Sequence, residues 1–185
     1  TFDKHLFELL GKAATDQLIS DLNGTNLRRR GESNSAVHWL AVCDIDHFKS
    51  VNDNFGHLIG DEVLIMLGQL MRHSFRFDDQ LFRFGGEEFV ALLQPANADA
   101  ARAVLERFRL DVEAQVFSRV GHVTVSVGFS RLMPNDTPTD VIDRADEALY
   151  FAKQHGRNRV ESYEALIAAG KLQAKEIAKG EVELF

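Results

Sequence analysis

The stretch Leu81-Phe82-Arg83-Phe84-Gly85-Gly86-Glu87-Glu88-Phe89-Val90-Ala91-Leu92-Leu93 decides the fold. Residues 81–84 and 89–93 are apolar and aromatic runs of strand length, and the four residues between them include two adjacent glycines. Paired glycines supply the positive φ of a tight turn, so the stretch predicts a β-hairpin with Gly85-Gly86-Glu87-Glu88 at its tip. Pro95 closes the second strand. Hairpin strands are antiparallel, and any sheet built on this pair inherits that direction.

Outward from the hairpin, residues 37–43 form a short apolar strand ending in Asp44-Ile45-Asp46. Residues 49–60 mix Asn, Asp, Gly and His and read as short helical turns and loop. Residues 61–75 form an amphipathic helix with Val63, Leu64, Leu67, Leu70 and Met71 on one face. Downstream, residues 98–117 read as a second long helix, and residues 123–130 as a strand with Val123, Val125, Val127 and Phe129 on one face. A turn follows at 133–138. Thr139 is then expected to cap a helix running to about residue 155, where Gly156 ends it. Residues 159–162 suggest a last strand, and residues 2–22 and 164–180 further helices. The order strand, helix, hairpin, helix, strand, helix argues for an α+β fold rather than a doubly wound parallel sheet, with a mostly antiparallel sheet under helices.

Composition narrows the function. The chain has 185 residues, 45% hydrophobic and 26% charged, as expected of one soluble domain with short extensions. Its formal net charge of −7 argues against a general binder of nucleic-acid polymers. No apolar stretch is long enough to span a bilayer, so no membrane insertion by this chain is expected. The single cysteine, Cys43, lies in an apolar run and reads as a buried structural thiol. No GxxxxGK[ST] cradle, GxGxxG or HExxH is present. Phosphates, if bound, must be held by metal ions and scattered basic groups. Thr1 in place of an initiator Met is consistent with a piece of a longer protein.

Asp44 at a strand end and Glu87 on the hairpin tip converge if the hairpin pairs beside that strand. Hard oxygen ligands that leave coordination positions free suit Mg²⁺ shared with phosphates. On spacing alone, carboxylates on a hairpin turn are more often solvated surface groups. Asp46 reads as a group that fixes the loop after the strand, His47 as solvated, and His57 as a structural hydrogen-bonding residue. Phe75, Phe77, Phe82 and Phe84 read as core packing.

Phe84-Gly85-Gly86-Glu87-Glu88-Phe89 resembles the signature of the GGDEF diguanylate cyclase family in its GGEEF form. Asp44-Ile45-Asp46-His47-Phe48-Lys49, Val51-Asn52-Asp53, Gly56-His57 and Gly60-Asp61 extend the resemblance at the family's spacing. Ser126-Val127-Gly128, Arg144-Ala145-Asp146, Ala148-Leu149-Tyr150, Ala152-Lys153 and Gly156-Arg157-Asn158 complete it. The resemblance covers roughly residues 12–162. It leaves residues 1–11 and 163–185 as helical extensions. It implies a palm-like fold, similar to nucleotide polymerases and cyclases, with a central, mainly antiparallel sheet of about five strands wrapped by helices.

The implied activity is condensation of two GTP into cyclic di-GMP and pyrophosphate, a 3′-hydroxyl attacking an α-phosphate across a homodimer. The implied cofactors are two Mg²⁺ or Mn²⁺ per site, held by Asp44, Glu87 and the Ile45 carbonyl. Asn52 and Asp61 would read guanine, because guanine N1 and N2 donate to a carboxylate and an amide both donates and accepts. Phe48 and Leu64 would wall the base, and Gly85 and Gly86 would admit phosphates close to the backbone. Lys49, Lys153 and Arg157 would balance phosphate charge, the last two facing one way if their helix continues through Arg157. Glu88 is assigned either to activation of the 3′-hydroxyl or to the metal. Arg76 and Asp79 form an RxxD just before the hairpin, where the family often binds inhibitory product, with Arg107 as a third member. The alternative to that role is an i,i+3 surface pair.

The resemblance further implies a cytoplasmic domain, alone or in a membrane-attached protein, behind an upstream sensory segment. The segment Thr15-Asp16-Gln17-Leu18-Ile19-Ser20-Asp21-Leu22-Asn23-Gly24 departs from the family's D-x-L-T-G-L-x-N-R at Ile19, Ser20, Asp21 and Gly24. The alternative to an active cyclase is a non-catalytic regulatory module that binds GTP or cyclic di-GMP.

Overall fold

Residues 39–45 are apolar at every position but Asp44, the pattern of a strand covered on both faces. The computed structural model, which describes residues 37–133 and 136–173, places this strand at the centre of the sheet. In chain order the described elements are β1 (Trp39–Ile45), α1 (Phe48–Phe55), α2 (His57–Ser74), β2 (Gln80–Gly85), β3 (Glu88–Leu93), α3 (Ala98–Ala114), β4 (Val116–Phe117) and β5 (Gly121–His122). They continue with β6 (Val125–Arg131), α4 (Pro138–Gln154), β7 (Val160–Ser162) and α5 (Tyr163–Ala168). Five strands form one sheet in the order β2-β3-β1-β6-β7. The pairings β2/β3, β3/β1 and β1/β6 are antiparallel. β6/β7 is parallel and is joined through α4, as a parallel pair requires a crossover. The fold is α+β with a mainly antiparallel sheet.

The pleat of β1 divides the core into two layers. Trp39, Ala41, Cys43 and Ile45 meet Val63, Leu64, Leu67 and Met71 of α2 and Leu105, Phe108 and Val112 of α3. Leu40 and Val42 face the other way, onto Val141, Ala145 and Leu149 of α4. Tyr163 and Leu166 of α5 pack on Ala148 of α4. Cys43 is buried, and burial pushes its thiol pKa well up, as befits an inert core group.

α4 comes unusually near the sheet because Gly128 lies beneath it. A Cβ on Gly128 would stand 2.1 Å from the Leu149 nitrogen and 2.2 Å from the Ala145 carbonyl oxygen. Only a missing side chain allows this approach.

Several local expectations are corrected. A full helix, α1, spans Phe48–Phe55, where turns and loop were expected. Gly56, at φ 83°, ends it and immediately starts α2. α3 stops at Ala114 instead of 117, because Val116–Phe117 pair with Gly121–His122 and Phe117 enters the core. The cap of α4 is Thr137, not Thr139. Thr137 accepts from the Asp140 N–H in a capping box, and Pro138 takes the first turn, where its lost N–H costs nothing. The C-terminal helix ends at Ala168, and Gly170 at φ 66° follows it. Phe75 and Phe82 are buried as expected, but Phe77 is fully exposed and Phe84 is 42% exposed. Phe84 sits in a register shift between Arg83 and Gly85 on the edge strand, where no neighbouring element covers it. The helix expected at 2–22, the 15–24 segment and everything beyond residue 173 lie outside the described residues. Among the described residues no helix is long and apolar enough to cross a membrane.

The Gly128 contact yields a prediction. Gly128→Ala must lift α4 off β6 and is expected to destabilise the fold by about 3 kcal/mol. Urea unfolding measures it, and a loss below about 1 kcal/mol would contradict the close approach.

Candidate active site

Register builds the acidic end of the sheet. Asp44 of β1 stands directly opposite Glu88 of β3 and Ser126 of β6. Glu88 leads the residues Val90 and Leu92 that share the α4 face with Leu40 and Val42. Asp44 and Glu88 therefore emerge on one face, just past the apolar layer beneath α4. Glu87 occupies the hairpin turn between Gly85 and Glu88, which pair. Of the two glycines only Gly86, at φ 44°, uses a left-handed conformation, so one positive φ rather than two makes this turn. Arg83, which the sequence reading did not single out, fastens the turn. Its Nε and Nη2 donate to the Gly86 carbonyl at 3.1 and 2.6 Å.

α4 supplies the counter-charge. Lys153 Nζ lies 2.8 Å from Asp44 Oδ2, with the Asp44 side chain only 6% exposed. Asp146 of α4 adds a further negative charge whose field reaches Glu88. Burial pushes the Asp44 carboxyl above the ordinary range, against the pull of Lys153. Glu87 is raised by burial and by the Asp44 charge, and Glu88 by burial, Asp146 and Asp44. Asp146 is raised in turn, by burial first and then by Asp143. Four carboxylates therefore share one ion pair among the described residues. Such a surplus of negative charge and hard oxygen fits a divalent cation. No group of three His, Cys, Asp or Glu side chains among the described residues is already gathered as a metal cage. Asp44 and Glu87, with the Ile45 carbonyl at the end of β1, are the residues that would hold such an ion, and phosphate oxygens or water would complete its shell.

Asn52 of α1 packs against the backbone of α2 at Gly60. A Cβ on Gly60 would meet Asn52 Oδ1 at 2.0 Å and Phe48 Cζ at 3.3 Å. Gly60 thus lets Asn52 lie against α2, next to Asp61 and above buried Phe48 and Leu64. Lys49 is exposed on the first turn of α1 and makes no ion pair among the described residues. His47 is exposed at φ 59°. His57 is exposed and makes no side-chain hydrogen bond, so its expected structural role is not what the structure shows.

Two further expectations change. Lys153 and Arg157 do not share a helix face. α4 ends at Gln154, the Arg157 N–H closes back on the Ala152 carbonyl at 3.0 Å, and Arg157 itself is left-handed at φ 62°. Arg157 still lies close enough for its charge to act on Asp44. Arg76 and Asp79 are linked through the backbone and not as an ion pair: the Arg76 N–H donates to Asp79 Oδ2 at 2.9 Å, and the Asp79 N–H returns to the Arg76 carbonyl at 3.1 Å. The Arg76 side chain is left exposed. Arg107 donates to the Ser74 carbonyl at the end of α2, which brings it to the same turn.

The register generates a pH prediction. Glu88 binds its proton more tightly in the folded state than in the unfolded one. The electrostatic penalty is therefore absent below the unfolded pKa and complete above the folded one. In the metal-free protein Glu88→Gln is expected to raise Tm by about 2 °C or more near pH 8, a gain that fades toward about pH 4.5. Calorimetry across that range checks it, and a pH-independent gain would deny the repulsion.

Known proteins can now be set beside this geometry. Residues 6–159 match the family described as "Diguanylate cyclase, GGDEF domain". Diguanylate cyclase DgcP of Pseudomonas aeruginosa is 42% identical over 170 residues, covering 86% of this chain and 25% of the relative. Diguanylate cyclase A of Treponema denticola is 40% identical over 134 residues, covering 70% of this chain and 36% of the relative. The chain thus spans only a quarter to about a third of these curated relatives. Among solved structures, the GGDEF domain of DgcB from Caulobacter crescentus in complex with c-di-GMP superposes with a TM-score of 0.73 at 33% identity, over 83% of this chain and 90% of that one. The active GGEEF domain of a diguanylate cyclase from Vibrio cholerae gives 0.69 at 32% identity, over 80% and 95%. With its acidic sheet end, its Gly-Gly-Glu-Glu turn and a match over most of its length, the chain belongs to the GGDEF domain family of diguanylate cyclases.

Proposed function

We propose that this domain condenses two GTP molecules into cyclic di-GMP, releasing pyrophosphate. The observation that carries the reading is that Asp44 and Glu88 stand opposite each other on one face of the sheet, beside the Glu87 turn, with Lys153 the cation paired to Asp44 among the described residues. Mg²⁺ or Mn²⁺ ions, two per site, would supply charge neutralisation of the attacking and leaving oxygens. Asp44, Glu87 and the Ile45 carbonyl would hold them.

The chain's own residues do the rest. Asn52 and Asp61 bind the guanine edge, and Phe48 and Leu64 exclude water from its faces. Gly85 and Gly86 present backbone without a side chain where the triphosphate passes. Lys153, Arg157 and Lys49 draw the negative phosphates and lower the cost of bringing them to an acidic site. Glu88, whose carboxyl holds its proton more tightly than usual, would accept the proton of the attacking 3′-hydroxyl or join the metal ligands. One domain holds one GTP, so two copies face each other for catalysis, and positioning supplies much of the rate. We place the domain in the cytoplasm, where GTP is available, behind an upstream sensory segment. Arg76, Asp79 and Arg107 gather at one turn and form the site at which cyclic di-GMP inhibits its own synthesis. An arginine grips guanine O6 and N7 through paired bonds.

The test is incubation with GTP and Mg²⁺ at high protein concentration, with cyclic di-GMP and pyrophosphate read by mass spectrometry. Wild type is expected to form both, and Glu87→Gln to lose about a thousandfold or more in turnover with an unchanged melting curve. Binding of GTP without any product would favour the non-catalytic module. Arg76→Ala is expected to weaken cyclic di-GMP binding by about tenfold or more and to relieve inhibition; calorimetric affinity equal to wild type rejects the product site.

A further inference from the structure

The turn that carries Arg157 is held by a residue the proposed reaction has not used. Gly156, Arg157 and Asn158 stand at φ 110°, 62° and 45° in succession. Two of them have side chains and occupy a conformation that L-residues rarely adopt, so the turn persists only if its surroundings over-determine it. The surroundings are specific. The Asn158 N–H donates to Asp46 Oδ2 at 3.0 Å. The same carboxylate accepts Thr124 Oγ1 at 2.7 Å and, on Oδ1, Ser126 Oγ at 2.7 Å. The Asp46 N–H donates to the Thr124 carbonyl at 2.9 Å, which locks its own backbone. From the other side, the Asn158 amide accepts from Arg109 Nη1 and donates to Glu113 Oε1, each at 2.8 Å, tying the turn to α3.

Asp46 is 5% exposed, and no cation pairs with it among the described residues. Three neutral donors, from Thr124, Ser126 and Asn158, engage both of its oxygens in structure. It follows the end of β1, two residues after Asp44.

We infer that Asp46 is a positioning residue: by holding the Gly156-Arg157-Asn158 turn in its left-handed path, it keeps Arg157 at the Asp44 end of β1, where the outer phosphates of GTP would lie. The inference rests on the reading of this end of the sheet as a nucleotide triphosphate site. A helix that simply continued past Gln154 would carry Arg157 along its own axis. The broken helix, the sequence of positive φ values and the Asp46 anchor together turn it back toward β1.

The test compares an α,β-methylene analogue of GTP with GMP, each with Mg²⁺, by titration calorimetry on the whole chain. Asp46→Ala is expected to weaken the triphosphate analogue about tenfold and to leave GMP unchanged, because Arg157 serves only the outer phosphates. In an Arg157→Ala background Asp46→Ala is expected to have no further effect, since the two act as one unit. Asp46→Asn keeps an acceptor for the Asn158 N–H and is expected to retain about half or more of the wild-type affinity. Additive losses, an equal loss for GMP, or an Asp46→Asn loss as complete as that of Asp44→Asn would each overturn the inference. Should Asp46→Ala not fold, Thr124→Val removes one partner of the same oxygen at nearly constant shape; it should show the same selective loss in smaller degree, and no selective loss overturns the assignment. A wild-type protein that binds the triphosphate no better than GMP would instead overturn the phosphate-site reading beneath it.

Discussion

The ion pair between Asp44 and Lys153 is the contact on which the rest of the site depends. A carboxylate this buried, directly across the ladder from Glu88, is costly unless a cation meets it. Lys153 meets it only because α4 lies against the backbone of β6, and α4 lies there only because residue 128 is glycine. A packing decision in the middle of the sheet therefore sets the charge balance at its end. The pair is incomplete as compensation: Glu87, Glu88 and Asp146 all remain raised, and the site keeps a standing demand for positive charge. That demand is what suits it to metal ions accompanied by a polyphosphate.

Around this pair the molecule separates two tasks. One group of residues forms the proposed site: Asp44, Glu87, Glu88 and Lys153 at the sheet end, with Asn52 of α1 and Asp61 of α2. A second group faces inward and holds the first in place. Arg83 grips the Gly86 carbonyl from within the hairpin, and Gly60 leaves room for the Asn52 amide. Asp46 fastens the turn after α4. Each of these supports uses a short, specific contact, which suits a site whose chemistry depends on alignment.

The hairpin, the strand ending at Asp44, the core-facing helix of Val63 and Leu67, and the late strand of Val125 and Val127 were all legible in the sequence. Each announces itself through a period or a turn within a dozen residues. The errors were equally local. Thr139 was read as the cap in place of Thr137 because a cap is chosen by its bond to the third helical N–H, and two threonines flanking a proline offer the same letters. Phe84 looked like core because alternation was carried through a bulge that the letters do not mark. Whether Arg157 shares a face with Lys153 was left open, because a helix end with two left-handed residues after its glycine has no distinctive composition.

What the sequence determined by itself was the α+β class, the hairpin and the kinds of side chain available for the site, since these follow from short-range periodicity, turn chemistry and the motifs themselves. What only the tertiary structure decided was which charges face one another. Asp46 reaches Asn158 across 112 residues, and Lys153 reaches Asp44 from α4, the crossover helix between β6 and β7. Such pairings depend on register and on how closely two backbones can approach, and both are set by the packed whole: a one-residue slip in β3 would turn Glu88 away from Asp44, and a methyl group on Gly128 would lift Lys153 away from it.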